Sequence, residues 1–204
     1  MIEPLLATDV PQVVRLHISS FPGFFLSFLG PRFLRLYYES IADYSQALGL
    51  VYRLEEPGQP IVGFVCGTLG PARFYSYLIR TRLLRFALAA AGAALRKPSI
   101  VPRLVRALTY PSQTTSAHDS ATLTSIAVDP EVQQRGVGSA LMKAFLEAMR
   151  ARGVRSVYLT TDRDHNQPVN DFYRRHGFRI HQQYVTPEGR AMNEYLIELA
   201  EDLS

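Results

Sequence analysis

"SIAVDPEVQQRGVGSALMKAF", Ser125 to Phe145, decides how this chain folds. It opens as an apolar strand, breaks at Asp129-Pro130, bends past Gly136 and Gly138, and runs directly into a helix. Val137, Leu141, Ala144, Phe145 and Ala148 form the apolar stripe of that helix, with Lys143, Glu147 and Arg150 opposite and Gly153 at its C-terminal stop. A strand that passes through a glycine loop into a helix gathers unpaired backbone N–H groups and the positive end of the helix dipole at one point. That combination suits a phosphate. Two glycines alone are equally compatible with a turn that binds nothing. The loop is neither G-x-x-x-x-G-K-[ST] nor G-x-G-x-x-G, because Leu141 stands three residues after Gly138.

Outward from this stretch, strand and helix signals alternate. Ile2 to Leu6 reads as a short strand, followed by a helix with Pro11 in its first turn and another opened by Pro31. "GLVYRLEE" and "PIVGFVCGTL" are strand-like runs around a hairpin signal at Glu56-Pro57-Gly58-Gln59. After "ATLTSIAV" come the helix, the strand "SVYLTT", a helix from Asn166 to His176, and the strands "FRIHQQYV" and "MNEYLIEL" around Pro187-Glu188-Gly189. This order predicts an α/β (α+β) fold with a mixed sheet, in one domain spanning residues 1–204.

Composition narrows the class. Of 204 residues 47% are hydrophobic and 20% charged, which is globular rather than disordered. The lone Cys66 excludes an internal disulfide framework, and Met1-Ile2-Glu3-Pro4 has no signal-peptide character, so a cytoplasmic location is expected. The net charge of +4 is concentrated. No Asp or Glu lies between Pro57 and His118, where eight Lys and Arg residues stand, and the remainder has 14 basic against 18 acidic residues. This basic segment is helical in pattern and separates the third strand from the fourth, as an insertion at about 72–116.

Gln133-Gln134-Arg135-Gly136-Val137-Gly138 matches [QR]-x-x-G-x-[GA]. In this it resembles the GCN5-related N-acetyltransferases (GNAT). Asn166 to Phe178, with Phe172-Tyr173 and Gly177-Phe178, is similar to the family's N-x-x-A-x-x-F-Y-x-x-x-G-F, Val169 replacing the small residue. The resemblance is strong from Ala121 to about Leu199 and holds in outline before it. It implies a GNAT-type, mostly antiparallel sheet flanked by helices and acetyl-CoA as co-substrate, without a metal. It also implies acetyl transfer to a small-molecule primary amine. The implied cofactor contacts are Ile126, Ala127, Val128, Gln133, Gln134, Arg135, Gly136, Val137, Gly138, Ser139, Asn166 and Tyr173.

Such chemistry needs a neutral amine, a held thioester, a donor for the oxyanion and a proton for the thiolate. An alkylammonium of pKa ~10 is almost wholly protonated at neutral pH, so a base or a desolvating pocket must intervene. Tyr173 is the expected acid. It stands seven residues after Asn166 on the same helix face, and Asn166 is positioned to cap that helix. Its alternative role is that of a buried aromatic beside Phe172. The resemblance suggests the Val128 N–H for the oxyanion. Many members carry an acidic residue on the fourth strand where this chain has Thr122, Thr124 and Ser125. Asp119, His118, Glu39, Asp162 and His165 are candidates for the base, and none is singled out.

Other readings stay open. They are peptide or protein N-acetylation, a coenzyme A-binding module without catalysis, and a homodimer, with "FPGFFLSFLG" suited either to a partner or to an acceptor pocket. Nucleic-acid binding is not expected, because the arginines lack interleaved aromatic platforms. The apolar run Phe86 to Leu95 is ten residues, against the ~20 a bilayer needs. The insertion is expected to form a helical lid packed through Leu78, Leu83, Leu84, Phe86, Leu88 and Leu95. On this reading Arg73, Arg80 or Arg82 would meet an anionic acceptor such as an amino sugar. Contact with anionic lipid is the alternative for this basic face.

Overall fold

The computed structural model describes residues 1–54, 60–102, 104, 120–132 and 135–199. β1 (Ile2–Pro4) leads through a short turn into α1 (Val10–Ser20), α2 (Phe25–Leu29) and α3 (Pro31–Asp43). β2 (Ala47–Arg53) and β3 (Ile61–Leu69) follow, then α4 (Pro71–Arg96) and β4 (Ser120–Val128). The C-terminal half is α5 (Val137–Ala151), β5 (Ser156–Asp162), α6 (Gln167–Arg175), β6 (Arg179–Val185) and β7 (Ala191–Glu198). The seven strands lie in the order β1-β2-β3-β4-β5-β7-β6. Every pair is antiparallel except β4 with β5. The expected mixed, mostly antiparallel sheet is present. The hairpin signal at 56–59 lies outside the described residues, and α2 is a helix that the breaker-rich sequence did not announce.

Two apolar layers clamp the sheet. On one face Phe64 and Cys66 of β3 meet Val10, Val13 and Val14 of α1 and Leu34, Tyr38 and Ile41 of α3. On the other, Val65 meets Leu141, Met142, Phe145 and Met149 of α5. β3 is buried on both faces, which explains its nearly unbroken apolar run. Gly63 and Gly67 share the Val65 face and let α5 lie close. A Cβ on Gly63 would come 2.9 Å from Leu141 Cδ1, and one on Gly67 would come 2.4 Å from Phe145 Cζ and 2.6 Å from the Thr122 carbonyl. This close approach fixes where the helix begins.

The described part of the insertion between β3 and β4 is mainly the helix α4, but it packs differently from the expectation. Phe74 and Leu78 enter the main core, Phe86 meets Phe33 edge to face at 4.8 Å, and Ala90 and Ala93 pack with Leu29 and Ile100. Leu84, Leu88 and Leu95 remain 78%, 76% and 84% exposed. The small alanines let α4 approach α2, while those leucines face outward because apolar residues surround the helix on every side. Arg82 bonds Asp43 and lies near Glu39 of α3, so it is paired across helices. Among the described residues no helix is long and apolar enough to cross a membrane.

Gly67→Ala should destabilise the protein by about 1–3 kcal/mol, since neither a backbone carbonyl nor a core ring can yield cheaply. Urea unfolding should show a lower midpoint with an unchanged slope; an unaltered midpoint would mean that α5 is not held this closely.

Candidate active site

β4 and β5 pair only from Ser120 opposite Ser156 to Thr122 opposite Tyr158. Beyond that point a cavity of about 1430 Å³ opens between them, lined by Leu123 to Val128 on one side and Leu159 to Asp162 on the other. On its β3 side β4 carries a bulge. Cys66 faces Ser125 and Gly67 faces Leu123, so Thr124 is the extra residue, and its hydroxyl donates to the Cys66 carbonyl at 3.1 Å. A bulge turns its strand locally and re-aims the residues beyond it.

The start of α5 closes one end. Gly136 is its N-cap with φ 79°, a left-handed conformation that favours glycine, and nothing lies within 4 Å of where its Cβ would sit. Gly138 differs from Gly136. It has no positive φ, and a Cβ there would make ordinary 3.5 Å contacts with Phe172 and Val128. Among the described residues no side chain caps the helix, and its first N–H groups have no intrahelical partner. Gly136, Val137, Gly138 and Ser139 line the cavity, as do Ile126, Ala127 and Val128. Arg135 is exposed and does not line it. Gln133 and Gln134 lie outside the described residues.

α6 brings Asn166 and Tyr173 to the same cavity. Asn166 holds the N-cap position, but its side chain does not cap the helix as expected. Its amide instead donates to Thr161 Oγ1 at 2.8 Å and the Asp162 carbonyl at 3.2 Å. The sequence reading missed Asn170, one turn on and buried. Its amide donates to the carbonyls of Asp162 and Asn166 at 3.0 and 2.8 Å, while its oxygen accepts from Asn193 at 2.8 Å and Tyr195 at 2.9 Å. The 166, 170, 173 spacing placed it on the same face, a usable signal. This network fixes α6 against β5 and β7. Tyr173 is buried among Phe172, Phe178 and Tyr195, with no hydrogen-bond partner for its hydroxyl among the described residues. Burial and then the neighbouring Tyr195 hold its pKa well above the usual tyrosine value.

The remaining wall comes from α1, α2 and α4: Phe21, Phe25, Leu26, Tyr75, Ile79 and Phe86. Arg73, Arg80 and Arg82 do not line it, so the expected anion contact has no geometric support. Asp162 does line it, but Arg190 holds its carboxylate through Nε and Nη2 at 2.7–3.0 Å, and Arg190 stacks over Phe24 at 5.2 Å. Glu39 bonds Arg35 and, like the exposed His165, lies off the cavity, while His118 and Asp119 fall outside the described residues. His17, also missed, lines the wall with Nδ1 at 2.7 Å from Tyr38 Oη. Burial lowers its pKa to about 4, so it stays neutral. Among the described residues no group of side chains could hold a metal.

The profile described as "Acetyltransferase (GNAT) family" matches residues 11–178. No curated protein matches the chain significantly. Similar solved structures include a GNAT-family acetyltransferase from Desulfovibrio desulfuricans, with TM-score 0.66, 16% identity, and coverage of 98% of this chain and 99% of that one. The ribosomal-protein-S18-alanine N-acetyltransferase from Escherichia coli has TM-score 0.57, 18% identity, and coverage of 100% and 98%. Arabidopsis thaliana NAA60 in complex with acetyl-CoA has TM-score 0.62, 15% identity, and coverage of 98% of each chain. At these identities the likeness is one of fold.

His17 makes stability depend on acid. Its folded pKa lies below the ordinary 6.5, so between those values the unfolded chain takes up a proton that the folded one refuses. The contribution is complete above about pH 6.5 and is lost as pH falls towards 4, by roughly 3 kcal/mol. Melting temperature against pH should therefore fall less steeply over that window in His17→Phe than in the parent; equal slopes would contradict a buried neutral His17.

Proposed function

This chain belongs to the acetyltransferase (GNAT) family, and from that premise we propose that it moves an acetyl group from acetyl-CoA to a primary amine of a small molecule, by direct attack in a ternary complex. One observation carries the reading: a bare helix start, two splayed strands and the Tyr173 hydroxyl surround a common cavity. The residues present fit the co-substrate, since at Gly136 no side chain stands between the backbone and a bulky anion.

Acetyl-CoA brings a thioester, an activated acyl group with a thiolate to lose. The N–H groups of Val137, Gly138 and Ser139, at the positive end of α5, hold the pyrophosphate. Arg135 adds positive charge from the solvent side, and Gln133 and Gln134 belong to the same loop. The β4 backbone from Ile126 through Ala127 to Val128 runs beside the pantetheine arm. Asn166 gives its amide protons to Thr161 and Asp162, which leaves its Oδ1 to accept from the co-substrate. Tyr173 is the proton donor to the departing thiolate. Its raised pKa keeps the proton on through the neutral range, as an acid needs.

The amine must react as the free base. Among the described residues the cavity offers no free carboxylate, Asp162 being bound to Arg190. The apolar wall does the work instead, because desolvation favours the neutral amine over the ammonium. No side chain is assigned as base.

Gly138→Glu tests the cofactor site without backbone strain, which Gly136→Glu would add. Calorimetry should show acetyl-CoA affinity falling at least ~10-fold in a variant that folds normally, the charge-repulsion cost expected of a carboxylate set against phosphate. Unchanged affinity would remove the claim. Tyr173→Phe should lower turnover ~10- to 10⁴-fold, followed as free thiol release, with acetyl-CoA affinity held. Normal turnover would place the acid elsewhere. Intact binding with no thiol release across amino sugars, amino acids, polyamines and N-terminal peptides would mark a binding module instead.

A further inference from the structure

The cavity is larger than one ligand requires. Its volume of about 1430 Å³ exceeds the roughly 300–1,000 Å³ typical of a single small-molecule site. The β4/β5 cleft and the start of α5 account for one end. The other end is walled by α1, α2 and α4, and the sequence there is unlike a site for a charged metabolite. Phe21, Phe25, Leu26, Ile79, Leu83 and Phe86 present carbon to the space, and Ala87 and Ala91 of α4 add small apolar surface to its lining.

The charges have been placed elsewhere. α4 carries Arg73, Arg80, Arg82 and Arg85, yet none of them lines the cavity. Of the ionisable groups that do, Asp162 and Arg190 neutralise each other. Arg175 stands one turn beyond Phe172, the ring nearest Gly138, and so on the co-substrate side. The polar atoms offered by α1 are neutral. His17 Nε2 and Ser20 Oγ are buried, lack partners among the described residues, and sit three residues apart on one helix face. Their residues line the cavity, where they can serve a hydroxyl or amide but not a phosphate.

We infer that the acceptor is a primary amine carrying an extended apolar body, alkyl or aryl, which fills the space between α2 and α4 while its nitrogen reaches the β4/β5 cleft. This rests on the acetyl-transfer reading and names its substrate class. It also supplies what the site lacks. Burying the apolar body draws the attached nitrogen out of water, which disfavours the ammonium and presents the free base without a dedicated carboxylate. Among the described residues a phosphorylated amino sugar would find no cation on the part of this wall formed by α1, α2 and α4, and a polyamine no free carboxylate.

The experiment is steady-state thiol release with acetyl-CoA and a series of primary alkylamines from propyl to octyl, beside a phosphorylated amino sugar and spermidine. kcat/KM should rise about 3- to 4-fold per methylene, the factor expected for each buried CH₂. A flat or falling series, or preference for the phosphorylated sugar or the polyamine, would overturn the inference. Leu83→Asp and Ala87→Asp place charge on the cavity wall at helix positions that are already exposed. Each should lower kcat/KM for octylamine at least ~10-fold, converting the loss of about two buried methylenes, with acetyl-CoA affinity unchanged. Leu88→Asp, on the outer face of α4, should leave it unaltered. Equal effects at Leu83, Ala87 and Leu88 would contradict the assigned wall. If acetyl-CoA binds the parent but not Gly138→Glu, and no alkylamine is acetylated, the inference fails while the cofactor site stands. If acetyl-CoA does not bind at all, the wider reading fails with it.

Discussion

The parting of β4 from β5 after three residue pairs is the constraint on which the rest of the molecule depends. Two neighbouring parallel strands normally continue their ladder, because each unpaired backbone group in a dry interior is costly. Here the ladder stops and a cavity takes its place. The architecture around it holds the strands apart. Gly63 and Gly67 draw α5 down on β3 so that its first turn points into the opening. The Asn170 network ties α6 to β5 and β7 on the far side. The bulge at Thr124 lets β4 remain bonded to β3 while its other edge is exposed.

The cavity so formed joins two chemically different halves. Backbone N–H groups and a helix dipole dominate one, which suits an anion; carbon dominates the other. Tyr173 lines the same cavity, its proton retained by burial. A family that commonly relies on an acidic residue on its fourth strand is represented here by Thr124 and Ser125, which meet the hydroxyls of Tyr37 and Tyr38. On the proposed function, desolvation of the amine by an apolar wall and proton donation by Tyr173 would be two uses of the same dry environment. The long helix α4 supplies much of that wall, which gives the insertion a role beyond covering the fold.

The loop, the strand order around it and the helix after Asn166 were legible in the sequence because each has a local cause. Glycine at a left-handed N-cap, an apolar stripe at helical spacing and strand alternation all act within a few residues. What was not legible depends on distant partners. The pairing of Arg82 with Asp43 and of Asp162 with Arg190 cannot be seen from a segment free of acids or from a lone aspartate. Leucines 84, 88 and 95 look like core, yet the alanines of α4 do the packing, because a narrow approach to α2 selects small side chains. Of the two loop glycines, Gly136 has a left-handed backbone and Gly138 does not. His17 and Asn170 look like ordinary helix residues until burial on neighbouring faces is known.

Amide hydrogen exchange with and without coenzyme A tests the central claim most directly, because it reads the backbone itself. The account predicts protection gained at residues 136–140 and along 123–128, where helix start and splayed strand would meet the ligand, with α6 from Asn166 to Tyr173 following. The outer face of α4 should not change. Protection confined to α4, or no change in the 123–140 region under saturating coenzyme A, would contradict it.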